Sequence, residues 1–129
     1  IIYNEINENT YLITELTDLM LQSLNNGYPG FILNGHSKIR IPGNLNISFP
    51  GLKEEPLIQR LRKIAVSSGS ACTTSNPEPS HVLSALGINN KLINSTIRIG
   101  IGKFNTTNDI KDAANYILKV VNRLKIKKI

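Results

Sequence analysis

The 129-residue sequence has one cysteine, Cys72, no tryptophan, and an aromatic content of only 5%. A single cysteine excludes an internal disulfide framework and any zinc site built from several cysteines. The scarcity of aromatic rings leaves few surfaces on which bases could stack. No apolar run approaches the length of about 18 residues that a transmembrane helix needs, so we expect no membrane span.

The beginning of the chain also lacks expected features. Ile1-Ile2-Tyr3-Asn4-Glu5 is neither a signal peptide nor a methionine start. We therefore expect further residues upstream in the parent protein. A length of 129 residues suits one domain, residues 1–129, because ordinary domains have about 100–200 residues.

Positive charge is concentrated near the end of the chain. The net charge is +6, and five of the fifteen Lys and Arg residues lie among the last eleven: Lys119, Arg123, Lys125, Lys127 and Lys128. Such a tail could contact nucleic acid or an acidic partner. It could equally be a solvated, frayed helix end whose cations suit the helix dipole. The absence of a nucleic-acid motif favours the second interpretation.

Apolar periodicity predicts eight elements in the order helix, strand, strand, helix, strand, helix, strand, helix. The predicted helices cover about 9–25, a segment starting near 54–56, 79–86, and a segment after Thr106; the predicted strands cover 31–33, 44–49, 64–66 and 96–101. Thr106 and Asp109 form a potential capping box for the last helix. Neighbouring strands joined by turns predict an α+β fold, a small antiparallel sheet of about three to four strands with helices on one side.

Cys72 is the only strong candidate for reactive chemistry. It lies in a run of small and polar residues from Ser67 to Ser75, which predicts a mobile and exposed loop. A lone cysteine is more often a small buried hydrophobic residue, but no apolar periodicity follows this one. A thiol on a movable loop suits the transfer of a group between sites better than rigid triad catalysis.

Arg98 is the second candidate, because it lies in the middle of an isoleucine-rich strand, on its polar face. A guanidinium at such a position needs an anionic partner and can bind a carboxylate through two hydrogen bonds. An internal ion pair with one of the nine acids is the alternative, and composition leaves both open. His36 and His81 belong to no local Cys/His signature and are interpreted as solvated or packed residues.

Four segments carry the most specific motifs of the chain. They are Ala65-Val66-Ser67-Ser68-Gly69-Ser70-Ala71-Cys72-Thr73, Glu78-Pro79-Ser80-His81-Val82-Leu83-Ser84-Ala85-Leu86-Gly87, Asn44-Leu45-Asn46-Ile47-Ser48-Phe49-Pro50-Gly51 and Ser95-Thr96-Ile97-Arg98-Ile99-Gly100-Ile101-Gly102-Lys103-Phe104. Together they resemble the cysteine desulfurase family of class V aminotransferases. Their order and spacing agree from about residue 9 to residue 124. The Ser-Gly-Ser-Ala-Cys loop resembles the long-loop branch of that family.

The resemblance implies specific roles for the two candidate residues. Cys72 matches the nucleophile that attacks the sulfur of L-cysteine to give L-alanine and a loop persulfide, and Arg98 matches the arginine that binds the substrate carboxylate. The flanking loop residues of the implied active site are Ser68, Gly69, Ser70, Ala71 and Thr73. The persulfide would supply iron–sulfur cluster assembly and tRNA thiolation through a scaffold and other sulfur acceptors.

The resemblance also implies that the cofactor, pyridoxal 5′-phosphate (PLP), belongs to the full-length enzyme, a homodimer. The family's Schiff-base lysine directly follows a histidine, whereas in this chain Ser37 separates His36 from Lys38. No cofactor-binding residue is therefore carried over, and the chain resembles only the small C-terminal domain of a fold-type I PLP enzyme. We expect this chain alone to be inactive.

The expected site contains no resident metal, although Cys72 could be a transient iron–sulfur ligand shared with a scaffold. We expect an intracellular protein, with cytoplasm and organelle both left open. A stand-alone persulfide-relay or scaffold-binding module without PLP chemistry is the alternative function.

Overall fold

The computed structural model describes residues 2–35, 42–53, 55–61, 66–68 and 90–127. For residues 2–7, 66–68 and 90, only the backbone is described. The predicted helix at 79–86 and the loop residues from Gly69 to Thr73, Cys72 among them, lie outside these ranges.

The first helix, α1, spans Ile2–Gly27 and extends the predicted one at its beginning. It buries Leu16, Met20 and Leu24 at helical spacing, each 3% exposed or less. Gly27 lies at its end, where a Cβ would be 2.5 Å from Cδ1 of Leu118, so a larger residue would displace that side chain. The glycine therefore allows α1 to end directly against the last helix.

Four strands form one antiparallel sheet in the order β1-β2-β4-β3. They are β1 Ile32–Leu33, β2 Asn44–Ser48, β3 Val66–Ser68 and β4 Thr96–Gly100. The central pair has Leu45 opposite Ile99 and Ile47 opposite Ile97. All four of these side chains are buried, at 5% exposure or less. Period-2 alternation in both strands thus produces one apolar face.

The remaining helices are α2, Asn90–Ile93, and α3, Thr107–Leu124. The predicted capping box of α3 is confirmed, since the Thr106 hydroxyl accepts from the Asp109 amide at 3.1 Å and the Asp109 carboxylate accepts from the Thr106 amide at 2.9 Å. Four residues of α3 are buried: Ile110, Ala114, Ile117 and Val121. They share one hydrophobic core with α1 and the apolar face of the sheet, which confirms the predicted α+β architecture.

Tyr28, the residue directly after α1, is buried in the hydrophobic core. Its ring meets Phe49 edge-on at a centroid distance of 5.5 Å, and its hydroxyl donates to the Pro50 carbonyl. The Lys125 ammonium lies 5.3 Å from the centre of the same ring. Burial raises the pKa of the Tyr28 phenol above its ordinary value of 10.0.

Three sequence-based expectations differ from the structure. The segment after Pro56 is a single 3₁₀ turn, Leu57–Arg60, because its three apolar residues, Leu57, Ile58 and Leu61, are too few to extend a buried helical stripe. The third strand continues to Ser68, two residues beyond its predicted end, whereas residues 64 and 65 of the prediction lie outside the described residues. Helix α2 was not predicted, since one turn carries no readable periodicity.

The residues that follow α3 are paired through Ile126. The Lys53 amide donates to the Leu124 carbonyl at 3.0 Å, and the Ile126 amide donates to the Gly51 carbonyl at 2.8 Å. Lys125 bridges Leu52 in antiparallel fashion. The expectation of a frayed helix end is therefore wrong for Lys125 and Ile126, because main-chain pairing with residues 51–53 holds this part of the chain.

Candidate functional site

Arg98 lies at the centre of the sheet, on the face opposite the core. In the register of the sheet, Asn46 of β2 is its partner on one side and Ser67 of β3 is its partner on the other. The side chain of Arg98 is half-buried. The structure thus confirms that Arg98 lies on the polar face of β4, opposite the face that carries Ile97 and Ile99.

A chain of polar side chains crosses the same sheet face beside Arg98. Asn34 donates through its Nδ2 to Asn46 Oδ1 at 3.1 Å and to Ser48 Oγ at 2.8 Å. Ser48 Oγ lies 2.6 Å from Thr96 Oγ1, and Thr96 donates to the Leu92 carbonyl at 2.5 Å. We call Asn34, Asn46, Ser48 and Thr96 the polar ladder.

Two members of the ladder are fully buried although they lie on the polar face. Ser48 is 0% exposed and Thr96 is 2% exposed. A buried hydroxyl without a partner costs free energy, so both must be hydrogen-bonded. The ladder supplies those partners, which joins β1, β2, β4 and the end of α2 on the side of the sheet that carries Arg98.

The segment that carries Cys72 starts next to Arg98. Ser68 ends β3 opposite Ile97, one register position from Arg98. Cys72 follows Ser67 by five residues, and five residues span at most about 18 Å. This limit follows from chain length alone, since Cys72 itself lies outside the described residues.

A separate cleft of about 530 Å³ lies between α3 and the 3₁₀ turn. Its charged lining residues are Arg60, Lys119 and Arg123. Arg60 is paired with Glu55 at 2.6 Å. Because α3 packs against the apolar face of the sheet, this cleft is not part of the Arg98 face.

The structure brings together residues that sequence reasoning left unassigned. Asn34 and Asn46 are 12 positions apart in sequence, and Ser48 and Thr96 are 48 apart. The alternation of Asn44, Asn46 and Ser48 predicted a polar face, but it did not predict that this face is partly buried. In the described part of the chain, no group of three His, Cys, Asp or Glu residues could hold a metal. No helix in that part is long and apolar enough to cross a membrane.

A protein-family model matches most of this chain. Residues 4–112 match the model of the family described as aminotransferase class-V. The chain belongs to that family, as the sequence motifs predicted.

Curated relatives point to one branch of the family. The chain is 40% identical over 125 residues to "Cysteine desulfurase IscS" of Rickettsia bellii (strain OSU 85-389), covering 97% of this chain and 30% of that protein. It is 43% identical over 118 residues to the protein of the same name from Ehrlichia chaffeensis (strain ATCC CRL-10679 / Arkansas), covering 92% of this chain and 29% of that protein. The chain therefore spans about 30% of the length of these relatives. The predicted resemblance to cysteine desulfurases is confirmed.

Solved structures share the fold. One titled "X-ray structure of NifS-like protein from Rickettsia africae ESF-5" gives a TM-score of 0.72 at 26% identity, over 92% of this chain and 31% of that one. Another, titled "NIFS-LIKE PROTEIN", gives a TM-score of 0.73 at 23% identity, over 95% of this chain and 30% of that one. These matches show the fold, and the names of the curated relatives do not favour the alternative of a stand-alone relay module.

Proposed function

We propose that the protein containing this chain removes sulfur from L-cysteine, giving L-alanine and a persulfide on Cys72. The persulfide then supplies iron–sulfur cluster assembly and tRNA thiolation. The observation that carries the proposal is the register of the sheet, in which Ser67 is the partner of Arg98. A carboxylate-binding side chain and the beginning of the cysteine-bearing segment are thus on adjacent strands.

Arg98 is proposed to orient the substrate. A guanidinium offers five donors and no acceptor, which suits a carboxylate. Arg98 would hold the substrate carboxylate at β4. The rest of the amino acid could then extend from this position so that its sulfur reaches the segment containing Cys72. The flanking residues Ser68, Gly69, Ser70, Ala71 and Thr73 have small side chains and are proposed to belong to the same active-site segment.

The proposed transfer balances in atoms and electrons. The Cys72 thiolate attacks the substrate sulfur, a sulfur–sulfur bond forms, and the substrate carbon–sulfur bond breaks. The electron pair of the broken bond stays with the substrate carbon, which takes up a proton to become alanine. L-Cysteine and the Cys72 thiol thus become L-alanine and the Cys72 persulfide, with no external oxidant.

The cofactor expected for this chemistry is PLP in the full-length enzyme, where it acts as the electron sink. The described residues fit the substrate rather than the cofactor's Schiff base. Arg98, Asn34 and Asn46 supply hydrogen-bonding groups on the sheet face, whereas the described lysines lie off the sheet, at 53, 91, 103, 111, 119, 125 and 127. We propose that the Schiff-base lysine lies in another part of the protein.

The same proposal extends to partners and location. Sulfur acceptors, among them an iron–sulfur scaffold, receive the persulfide, and Cys72 is a transient cluster ligand shared with that scaffold. The full-length enzyme is proposed to be a homodimer. It works inside the cell, in cytoplasm or organelle, where thiols stay reduced.

The test uses the full-length, PLP-loaded protein. Cys72→Ala should abolish persulfide formation and sulfide release while the PLP absorbance band remains. Thr74→Ala, a change in the same segment at a residue without an assigned role, should retain turnover. The 129-residue chain with added PLP should release no sulfide from cysteine. Turnover by Cys72→Ala, or robust turnover by the 129-residue chain, would contradict the proposal.

A further inference from the structure

We propose that the side-chain amide of Asn46 is a second carboxylate-binding group beside Arg98. We further propose that the polar ladder, starting at the Leu92 carbonyl, sets the direction in which this amide points. The inference rests on the proposed function, because it adds a ligand to the same carboxylate site.

The order of donors and acceptors along the polar ladder is set at the Leu92 carbonyl, which can only accept a hydrogen bond. The Leu92 carbonyl carries no proton, so Thr96 must donate its hydroxyl proton across the 2.5 Å contact. A threonine hydroxyl has one proton. In the 2.6 Å contact between Ser48 and Thr96, Thr96 is therefore the acceptor and Ser48 the donor.

The same reasoning fixes both asparagine amides. Ser48 has used its one proton on Thr96, so it must accept from Asn34, and only the NH₂ end of that amide can donate. That nitrogen also lies 3.1 Å from Asn46, which must present its oxygen. If the Asn46 amide were rotated by half a turn, its NH₂ group would face the NH₂ group of Asn34, and two donors cannot form a hydrogen bond. The NH₂ of Asn46 therefore points away from Asn34.

Burial makes the direction of the ladder stable. Ser48 and Thr96 are 0% and 2% exposed, so water cannot readily replace either partner. Reversing any step would leave a buried donor or acceptor unpaired, which costs free energy. Asn34 is also held by its backbone, whose amide donates to the Asn46 carbonyl at 2.8 Å.

The ladder thus places two donor groups on adjacent strands. Asn46 is the register partner of Arg98, and directly opposite residues in an antiparallel pair have Cβ atoms about 4.5–5.5 Å apart. A carboxylate has two oxygens that accept about four hydrogen bonds. It can therefore bind the Arg98 guanidinium and the Asn46 NH₂ together, whereas a ligand group made only of donors would be rejected.

The experiment uses the full-length, PLP-loaded protein with Cys72→Ser to prevent turnover. Calorimetric titration compares L-alanine, which has the carboxylate, with ethylamine, which lacks it. Asn46→Leu keeps the size and removes the amide, and it should weaken L-alanine binding about tenfold while leaving ethylamine binding unchanged. Asn44→Leu is the matched control, because Asn44 lies on the same strand and the same face opposite Gly100. It should change neither affinity.

A second variant tests the ladder without touching Asn46. Thr96→Val is close in shape and cannot accept from Ser48, so it releases the constraint on both amides. We expect a selective loss of L-alanine affinity of about threefold. If Thr96→Val leaves the ratio of the two affinities unchanged, the directional ladder is wrong.

The remaining outcomes separate this inference from the proposed function. Equal loss of both ligands in Asn46→Leu, or no loss, overturns the role of Asn46. Asn46→Ala serves if the leucine variant does not fold, with thermal unfolding as the check. If Arg98→Ala leaves L-alanine affinity unchanged, or the unmodified enzyme releases no sulfide from cysteine, the proposed function itself fails.

Discussion

Ser67 of β3 is the register partner of Arg98 of β4. The segment that leads to Cys72 therefore follows β3, the strand adjacent to that of the arginine. The candidate substrate-binding residue, Arg98, thus lies beside the strand that directly precedes the segment of the candidate nucleophile, Cys72.

If Arg98 binds the substrate carboxylate as proposed, Arg98→Ala in the full-length protein should raise the KM for L-cysteine roughly 100-fold, because the variant lacks the proposed charge-assisted hydrogen bonds. Arg98→Lys should recover only part of that loss, since an ammonium cannot form the two parallel bonds. Steady-state kinetics measures both, with the PLP absorbance band showing that the cofactor is retained. Arg123→Ala removes an exposed cation on α3 and is the control. An unchanged KM in Arg98→Ala would contradict the assignment.

Gly43 should be the least replaceable of three glycines in the 129-residue chain. Its φ is +82°, and a Cβ there would lie 2.1 Å from the Ile101 carbonyl oxygen. We expect Gly43→Ala to lower the free energy of unfolding by about 3 kcal/mol, because backbone strain and a steric clash add. Denaturant titration measures the change.

Two matched variants separate the two causes. Gly35 has a φ of +90°, and a Cβ at this position would have no atom within 4 Å, so Gly35→Ala should cost about 1 kcal/mol from strain alone. Gly102 has open space and no positive φ, so Gly102→Ala should be nearly neutral. Equal costs at all three positions would show that the Gly43 contact is not decisive.

Thr106→Ala should destabilise the chain by about 1 kcal/mol, because it removes the side-chain acceptor for the Asp109 amide at the beginning of α3. Thr107→Ala changes the neighbouring residue, which lies inside the helix, and is the control. Thermal unfolding of both variants checks the prediction. A control variant that loses as much stability would point to helix propensity rather than the cap.

Tyr28→Phe should cost about 1 kcal/mol near neutral pH, since the Pro50 carbonyl loses its donor. Burial raises the pKa of Tyr28, so the folded state keeps the phenolic proton more strongly than the unfolded state. That contribution is fully present below pH 10 and is lost as the pH rises through the raised value.

The stability difference between the original chain and Tyr28→Phe should therefore shrink above pH 10. Urea titrations at several pH values measure it. Tyr116→Phe removes a hydroxyl that donates to the Arg60 carbonyl at 3.2 Å, and it controls for the loss of a hydroxyl elsewhere. A stability difference that grows as the pH rises above 10 would contradict the role of the Tyr28 proton.

Local patterns in the sequence determined much of the fold. The 3.6-residue spacing of Ile110, Ala114, Ile117 and Val121 predicted the last helix, and the capping box at Thr106 predicted its beginning. Alternation in 44–49 and 96–101 predicted the two central strands. These elements were predictable because each carries a periodicity that shows which side is buried. The single 3₁₀ turn and α2 are too short to carry one.

The sequence alone also determined the two candidate functional residues. Cys72 is the single cysteine of the chain, and Arg98 is a charged residue on the polar face of an isoleucine-rich strand. Only the tertiary structure decided what stands beside Arg98. Sheet register sets Asn46 and Ser67 against it, and contacts between distant residues join Asn34, Ser48 and Thr96. Such pairings depend on how separate strands align and on which polar groups burial forces into partnership, and neither can be read from the local order of residues.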